Sequence, residues 1–300
     1  MIRGLYTAGS GMVALQNRQE ALANNLANIN TPGYKQNEGV LRSFPEELLM
    51  RMNDEEGPEV KGYPKIDRHS VQIGRLHQGV YMSESISNFI QGDIAESNNP
   101  YDVALTDNLP IPENAPLFNR KPVQPKLFVS VAKLENVNGT ATAEQIRYGR
   151  NGNWNVNTQG YLVNSDGYYL LGNDNRPIQI SDDTGLLDGK ITIDADGLIH
   201  LSDGTTRQLG LVKANNPFQM VREGNNVFRP QNPEDVQALD GTDTGRYAIR
   251  QGWIERANVD PTRTMTDMMT VMRSYEANQR VITTLDGTMD KAVNEVGRVT

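Results

Sequence analysis

Ala23-Asn24-Asn25-Leu26-Ala27-Asn28-Ile29-Asn30-Thr31-Pro32-Gly33-Tyr34-Lys35 closes a seven-residue apolar repeat that opens at Leu5. One seam position falls on Leu5, Met12, Gln19 and Leu26, the other on Ala8, Leu15, Leu22 and Ile29, which are the a and d positions of a coiled coil. The same 3-4 spacing returns only near the C-terminus, at Met265, Met268, Met272, Tyr275, Gln279, Ile282, Asp286, Met289, Val293 and Val296. Two terminal helices therefore carry seams, and everything else lies between them. A helix with one apolar stripe is marginal in water until the stripe is packed. Each terminus needs a partner, the nearest being the other terminus folded back antiparallel. A two-helix pair still leaves apolar edge in water, which implies further copies of the chain and helices that order on assembly.

The first helix stops where Asn30-Thr31-Pro32-Gly33 places a residue before proline and then a glycine. Ser43-Phe44-Pro45-Glu46 reads as a capping box opening a short helix through Leu48, Leu49 and Met52, and Asn53 to Pro64 as a long polar loop. From about Tyr101 the periodicity changes. Asn108 to Pro125 holds five prolines and reads as an extended surface segment. Short strand-like runs follow at Leu127–Val131, Tyr161–Val163 and Tyr168–Leu171, the last two joined by an Asn164-Ser165-Asp166-Gly167 hairpin. A second hairpin runs from Ile191 through Asp194-Ala195-Asp196-Gly197 to Leu201, and Leu209–Val212 and Val227-Phe228 continue the β character. The helical pattern resumes after Asp260-Pro261, with Asp260 placed as N-cap and Pro261 at the first helical position. The expected fold is α+β: a discontinuous helical domain of paired N- and C-terminal coiled-coil helices (1–30 plus 258–300), a connecting segment (31–100 plus 246–257) and an inserted β-rich domain (101–245).

Composition narrows the function classes. A net charge of −8 and no dense Lys/Arg run argue against nucleic acid as a partner. The absence of cysteine removes disulfides, thiolate nucleophiles and zinc–thiolate sites. No run of about 18 apolar residues suits a membrane span, and the amphipathic N-terminus does not read as a cleaved secretory leader. Asp194-x-Asp196-Gly197 resembles the start of a calcium loop but lacks the later ligands, so it reads as a tight turn. His69, His77 and His200 form no ligand spacing, and Asp182, Asp183, Glu46 and Glu47 sit in polar contexts of solvated faces. No nucleophile, base and orienter emerge, and no metal or cofactor is expected.

The polar seam residues and the methionines admit two readings each. With Ile29 and Pro261 at one end of an antiparallel pair, Gln19 comes level with Tyr275 to Gln279, so that the two glutamines lie roughly 5 Å apart along the axis, and Leu5 meets Met289 or Val293. Either the amides reach solvent, or they select register at some cost in stability. Met265, Met268, Met269 and Met272 read as core, or as thioethers suited to a surface that fits non-equivalent neighbours.

Ala23 to Lys35 resembles the ANNLANxNTxGYK signature of the bacterial flagellar hook and basal-body rod protein family. Its bearers here are Asn24, Asn25, Leu26, Asn28, Asn30, Thr31, Gly33, Tyr34 and Lys35. Four further segments match in order: Gln91-Gly92-Asp93 to Leu105; Tyr148 to Trp154 with Gly160-Tyr161-Leu162; Gln251 to Glu255 with Ala257, Asn258 and Val259; and Arg273, Ser274, Tyr275, Glu276, Ala277 and Asn278. The resemblance implies a structural subunit of the flagellar rod without enzymatic activity. Such a subunit is exported by the flagellar type III apparatus without a cleaved leader and stacks helically with itself and other axial proteins, outside the cytoplasmic membrane. The terminal helices would then be the axial core and the β-rich domain the outer face. A hook or hook–filament junction protein is the nearer rival, and a surface hydrolase with helical arms the farther one.

Overall fold

The computed structural model describes residues 2–45, 47–51, 71–76, 79–113, 115–118, 120–134, 139–180, 191–201, 204–239, 243 and 245–296. The expected loop from Asn53 to Pro64, together with Met52, His69, His77, Asp182, Asp183 and Glu46, lies outside the described residues. The fold is α+β, with one helix at each end, α1 (Ile2–Ala27) and α2 (Pro261–Val296), and strands between them. The chain divides into two compact units: residues 1–24, 38–86 and 262–300, and residues 25–37 and 87–261.

In the first unit α1 and α2 approach each other antiparallel. A Cβ added at Gly4 would lie 3.3 Å from Leu285 Cδ1, and one at Gly11 3.0 Å from Asn278 Nδ2. Those contacts correct the expected register. Position 4 faces 285 and position 11 faces 278, so Gln279 comes level with Ser10, about 13 Å along the axis from Gln19. Counted along the helices, levelling Ile29 with Pro261 sets Gln19 beside Val271, one residue from where these contacts put it, so the difference lies in how the levels were counted from that end. Two glycines seven residues apart leave a groove on α1, and α2 seats side chains in it.

Burial shows that the stripe of α2 is rotated from the expected one. Met268, Tyr275, Ile282 and Met289 are partly buried as expected, but their companions are Thr264, Val271, Asn278, Leu285 and Ala292. Met265, Met272, Gln279, Asp286 and Val293 are exposed, and the side chain of Val296 lies outside the described residues. On α1, Ala8 and Leu22 are buried, Met12, Leu15, Gln19, Leu26 and Ile29 partly so, and Leu5 is exposed; Ala14, unanticipated, is also buried.

The same unit contains a ribbon of strands Asn37–Ser43 and Val80–Ser87 and a second ladder, Glu47–Arg51 with Val71–Leu76. The latter replaces the short helix expected through Leu48 and Leu49. Glu47 pairs with Leu76 and Arg51 with Val71, and such distant pairing overrides a local capping pattern in a short apolar run.

The second unit is built on a large antiparallel sheet whose centre is the strand Lys126–Ala132. Leu127 to Ala132 is apolar but for Ser130, and both faces of the strand are covered. Leu127, Val129 and Val131 join a core with Trp154, Leu162, Leu170, Ile199 and Leu211. On the other face Phe128 packs with Phe89 and Phe228, ring centres 5.2–5.9 Å apart. Strands Ile146–Gly149, Tyr169–Leu170 and Leu211–Ala214 flank it.

Both expected hairpins form. Asn164 Oδ1 accepts from the N–H groups of Asp166 and Tyr168, pinning the first turn. In the second, Gly197 N–H donates to Asp194 O at 3.0 Å, and Gly197 has φ +82°, so the acidic stretch is a tight turn. The Pro-rich segment is exposed at 110–113 and anchored by buried Leu109 and Val123, with a minimal ladder between Leu117–Phe118 and Lys121–Pro122.

Candidate functional site: a buried charged hub and an open helix face

Four of the five motif segments, far apart in sequence, converge inside the second unit. The chain leaves α1 through Asn28–Asn30 and turns at Gly33, whose φ is +66°. A Cβ there would sit 2.4 Å from Arg150 O, so the site needs glycine for both conformation and space. The following segment is then extended, and Lys35 is buried. Its Nζ lies 2.6 Å from Glu255 Oε1 and donates to Ile90 O at 2.9 Å.

Glu255 ends the strand Trp253–Glu255, which pairs with Ile94–Glu96. Its Oε1 also accepts from Gly92 N–H at 2.9 Å, and Oε2 faces Arg150 Nη2 at 3.3 Å. Arg150 follows the strand Ile146–Gly149 and bridges to Asp107 through Nη1, 2.6 Å from Oδ2. Its remaining hydrogens reach Leu127 O, Leu105 O and Gln91 Oε1. Asp107, at the end of the strand Val103–Asp107, takes Lys126 Nζ at 2.8 Å and Leu127 N–H at 2.9 Å. The side chains of Lys35, Glu255, Arg150 and Asp107 are all 0–1% exposed. Every charge is paired and hydrogen-bonded, as burial demands.

These partners set the protonation states. Burial pushes the Asp107 carboxyl up, but the Arg150 guanidinium and Lys126 ammonium outweigh it and hold the group at about 2. For Glu255 burial likewise raises and Arg150 and Lys35 lower, with a net fall. Burial, reinforced by the Arg150 charge, lowers Lys35 to about 8 against the pull of Glu255. At neutral pH the hub is a set of ions whose hydrogen-bonding capacity is used internally.

Around the hub the asparagines act as backbone surrogates. Asn25 Nδ2 donates to Asn37 O at 2.8 Å while Oδ1 accepts from Asn37 N–H at 2.9 Å and from the Tyr34 hydroxyl at 3.1 Å. Asn258 Oδ1 accepts from Gln36 N–H at 2.7 Å, and its Nδ2 donates to Asn88 O. The Arg222 guanidinium lies 4.3 Å over the Tyr34 ring. Asn151 orders the next turn by accepting from Asn153 N–H while its carbonyl takes the Trp154 indole N–H.

The structure thus gathers Asn25, Gly33, Tyr34, Lys35 and Asn258 around the hub, and Val259 is buried. Thr31 donates to Asn28 Oδ1 nearby. Asn24 and Asn30 are exposed. Arg273, Tyr275, Glu276 and Asn278 belong to α2 in the other unit, Asn278 against Gly11 and Arg273 and Glu276 exposed. Sequence reading missed Asp107 and the roles of Arg150 and Glu255, since a buried ion leaves no mark on hydropathy. The available signal was a charge abutting an apolar strand, as in Val103-Ala104-Leu105-Thr106-Asp107. His200 is on a strand, partly exposed, 2.7 Å from Asp194. Among the described residues no group of three or more His, Asp or Glu could hold a metal ion, and no helix is long and apolar enough to cross a membrane.

Residues 5–35 match the family described as "Flagella basal body rod protein", residues 250–295 "Flagellar basal body rod FlgEFG protein C-terminal", and residues 137–201 "Flagellar hook protein FlgE/F/G D1 domain". The flagellar hook-basal body complex protein FlhO of Bacillus subtilis is 33% identical over 299 residues, the whole of both chains. The chain belongs to the flagellar hook and basal-body rod family. FlhP of the same organism is 31% identical over 94% of this chain and 95% of its own. The flagellar basal-body rod protein FlgG of Agrobacterium fabrum is 29% identical over 95% and 96%. Two of the family matches end or begin at the hub: Lys35 closes the N-terminal match, and Glu255 lies near the start of the C-terminal one.

Proposed function

We propose that this chain is a structural, non-enzymatic subunit of the flagellar basal-body rod. It polymerises helically with copies of itself and with other axial proteins between motor and hook, transmits torque and lines the export channel. In this reading the terminal helices, 1–30 with 258–300, act as a coiled-coil axial core, 31–100 with 246–257 connect, and 101–245 face outward. The subunit reaches its place through the flagellar type III apparatus without a cleaved leader and without membrane insertion.

The observation that carries the reading is the contrast between the units. The hub of the second pairs its own buried charges, whereas α2 leaves Met265, Met269, Met272 and Val293 exposed. A subunit that passes torque needs a body that holds its shape and a helical surface that is completed by neighbours. Removing residues 2–24 tests this while leaving Asn25 and the hub in place. The truncated chain should keep the fluorescence of buried Trp154 yet be missing from purified basal bodies, and its incorporation with normal motility would refute the proposal.

A further inference from the structure

The first unit carries two exposed faces of complementary chemistry that its own helix register keeps apart. On α1, Tyr6 (57% exposed) and Val13 (60%) flank Ser10, and the end of the β ribbon lies over that serine: Val80 N–H donates to Ser10 Oγ. Tyr6, Phe44 and Tyr81 form a row of rings with centres 6.4 Å and 5.2 Å apart in turn. On α2, Met265, Met269 and Met272 recur at i, i+4 and i+7, each about half exposed, and rise about 10 Å along the helix. Thioethers pack favourably against aromatic rings.

Each row also ends in a charge. Arg3 lies one turn before Tyr6 on α1, and Glu276 one turn after Met272 on α2, both exposed. An antiparallel approach that sets Glu276 against Arg3 also sets Met272 against Tyr6 and Met265 against Val13. Within the chain, position 4 faces 285 and position 11 faces 278. The chain's own methionines are therefore displaced from its own rings by about 15 Å along the axis.

We propose that the methionine row of α2 docks on the α1 face of Tyr6 and Val13, beside the Phe44 and Tyr81 rings, of a second copy shifted axially by about 15 Å, with the Glu276–Arg3 pair setting the register. This rests on the rod-subunit reading and adds the two surfaces that meet. They differ from each other, so the contact is head-to-tail and propagates as an open helical stack rather than closing as a dimer.

A photoreactive benzophenone side chain introduced at Tyr6 tests the contact in purified basal bodies. Irradiation should yield a product of doubled mass in which Tyr6 is joined to the 265–272 peptide. Capture of another segment, or of a different protein, overturns the proposal. Independently, Arg3→Glu and Glu276→Arg should each lower incorporation about tenfold, since either sets like charges together, and the double exchange should restore most of it. Normal incorporation of both single variants, or no restoration, also overturns the pairing. Absence of the unaltered chain from basal bodies would instead sink the rod-subunit reading itself.

Discussion

Glu255 and Met265 are ten residues apart and invert the usual rule of burial: the carboxylate is sealed inside and the thioether stands in water. The difference lies in the company each keeps. Glu255 has a guanidinium, an ammonium and a backbone N–H within bonding distance in its own chain, so the cost of desolvation is offset by fixed partners. Met265 sits on the side of α2 turned away from α1. One unit is complete in a single chain, and the other is left open. Trp154 and Trp253 both belong to the closed unit, so indole fluorescence follows the hub while far-UV ellipticity follows the helices.

The sharpest way to break the contrast is Arg150→Met, which removes the guanidinium shared by two buried carboxylates and leaves each with one ammonium. Urea unfolding followed by fluorescence should show a loss of about 3–5 kcal/mol, and a change below about 1 kcal/mol would mean that the hub does not hold the unit together. Next in size is acid. The Asp107 carboxyl ionises at about 2 in the fold against 3.8 outside it. A depressed folded value stabilises above the unfolded value, and that stability, on the order of 2 kcal/mol, drains away as pH falls from 3.8 through about 2. Glu255 shifts in the same direction. Fluorescence-detected stability that stays flat across that window would contradict the ionic description.

Asn258→Ala removes the acceptor for Gln36 N–H and the donor to Asn88 O. A loss of about 1–3 kcal/mol is expected, again seen by fluorescence, with the helical signal little changed. The smallest effect belongs to the open unit. Gln279 is exposed, so Gln279→Leu should alter thermal stability of the isolated chain by no more than about 0.5 kcal/mol. A larger change would place Gln279 inside a helix seam after all and blur the distinction between the units.

Several elements are legible in the amino-acid sequence because their causes are local. Pro261 starts α2, the Asn164–Gly167 and Asp194–Gly197 turns form where asparagine, aspartate and glycine permit them, and Leu127–Val131 is a strand because its short run is apolar but for Ser130. Period and turn chemistry act within a few residues, so the chain alone determines them, along with two terminal amphipathic helices and a β-rich middle. The Glu47–Arg51 strand escaped because its partners lie twenty or more residues on, and a short apolar run suits helix or strand equally.

The α2 stripe escaped for a different reason. Periodicity locates a stripe to within one residue's rotation, and only the groove at Gly4 and Gly11 decided that Val271, Asn278 and Leu285 turn inward while Met265 and Met272 turn out. The hub lay beyond any local signal. Lys35, Asp107, Arg150 and Glu255 span 220 residues, and each is an ordinary surface charge until the others arrive. Charge is a property of the residue, but whether water or protein solvates it is settled by tertiary contacts alone.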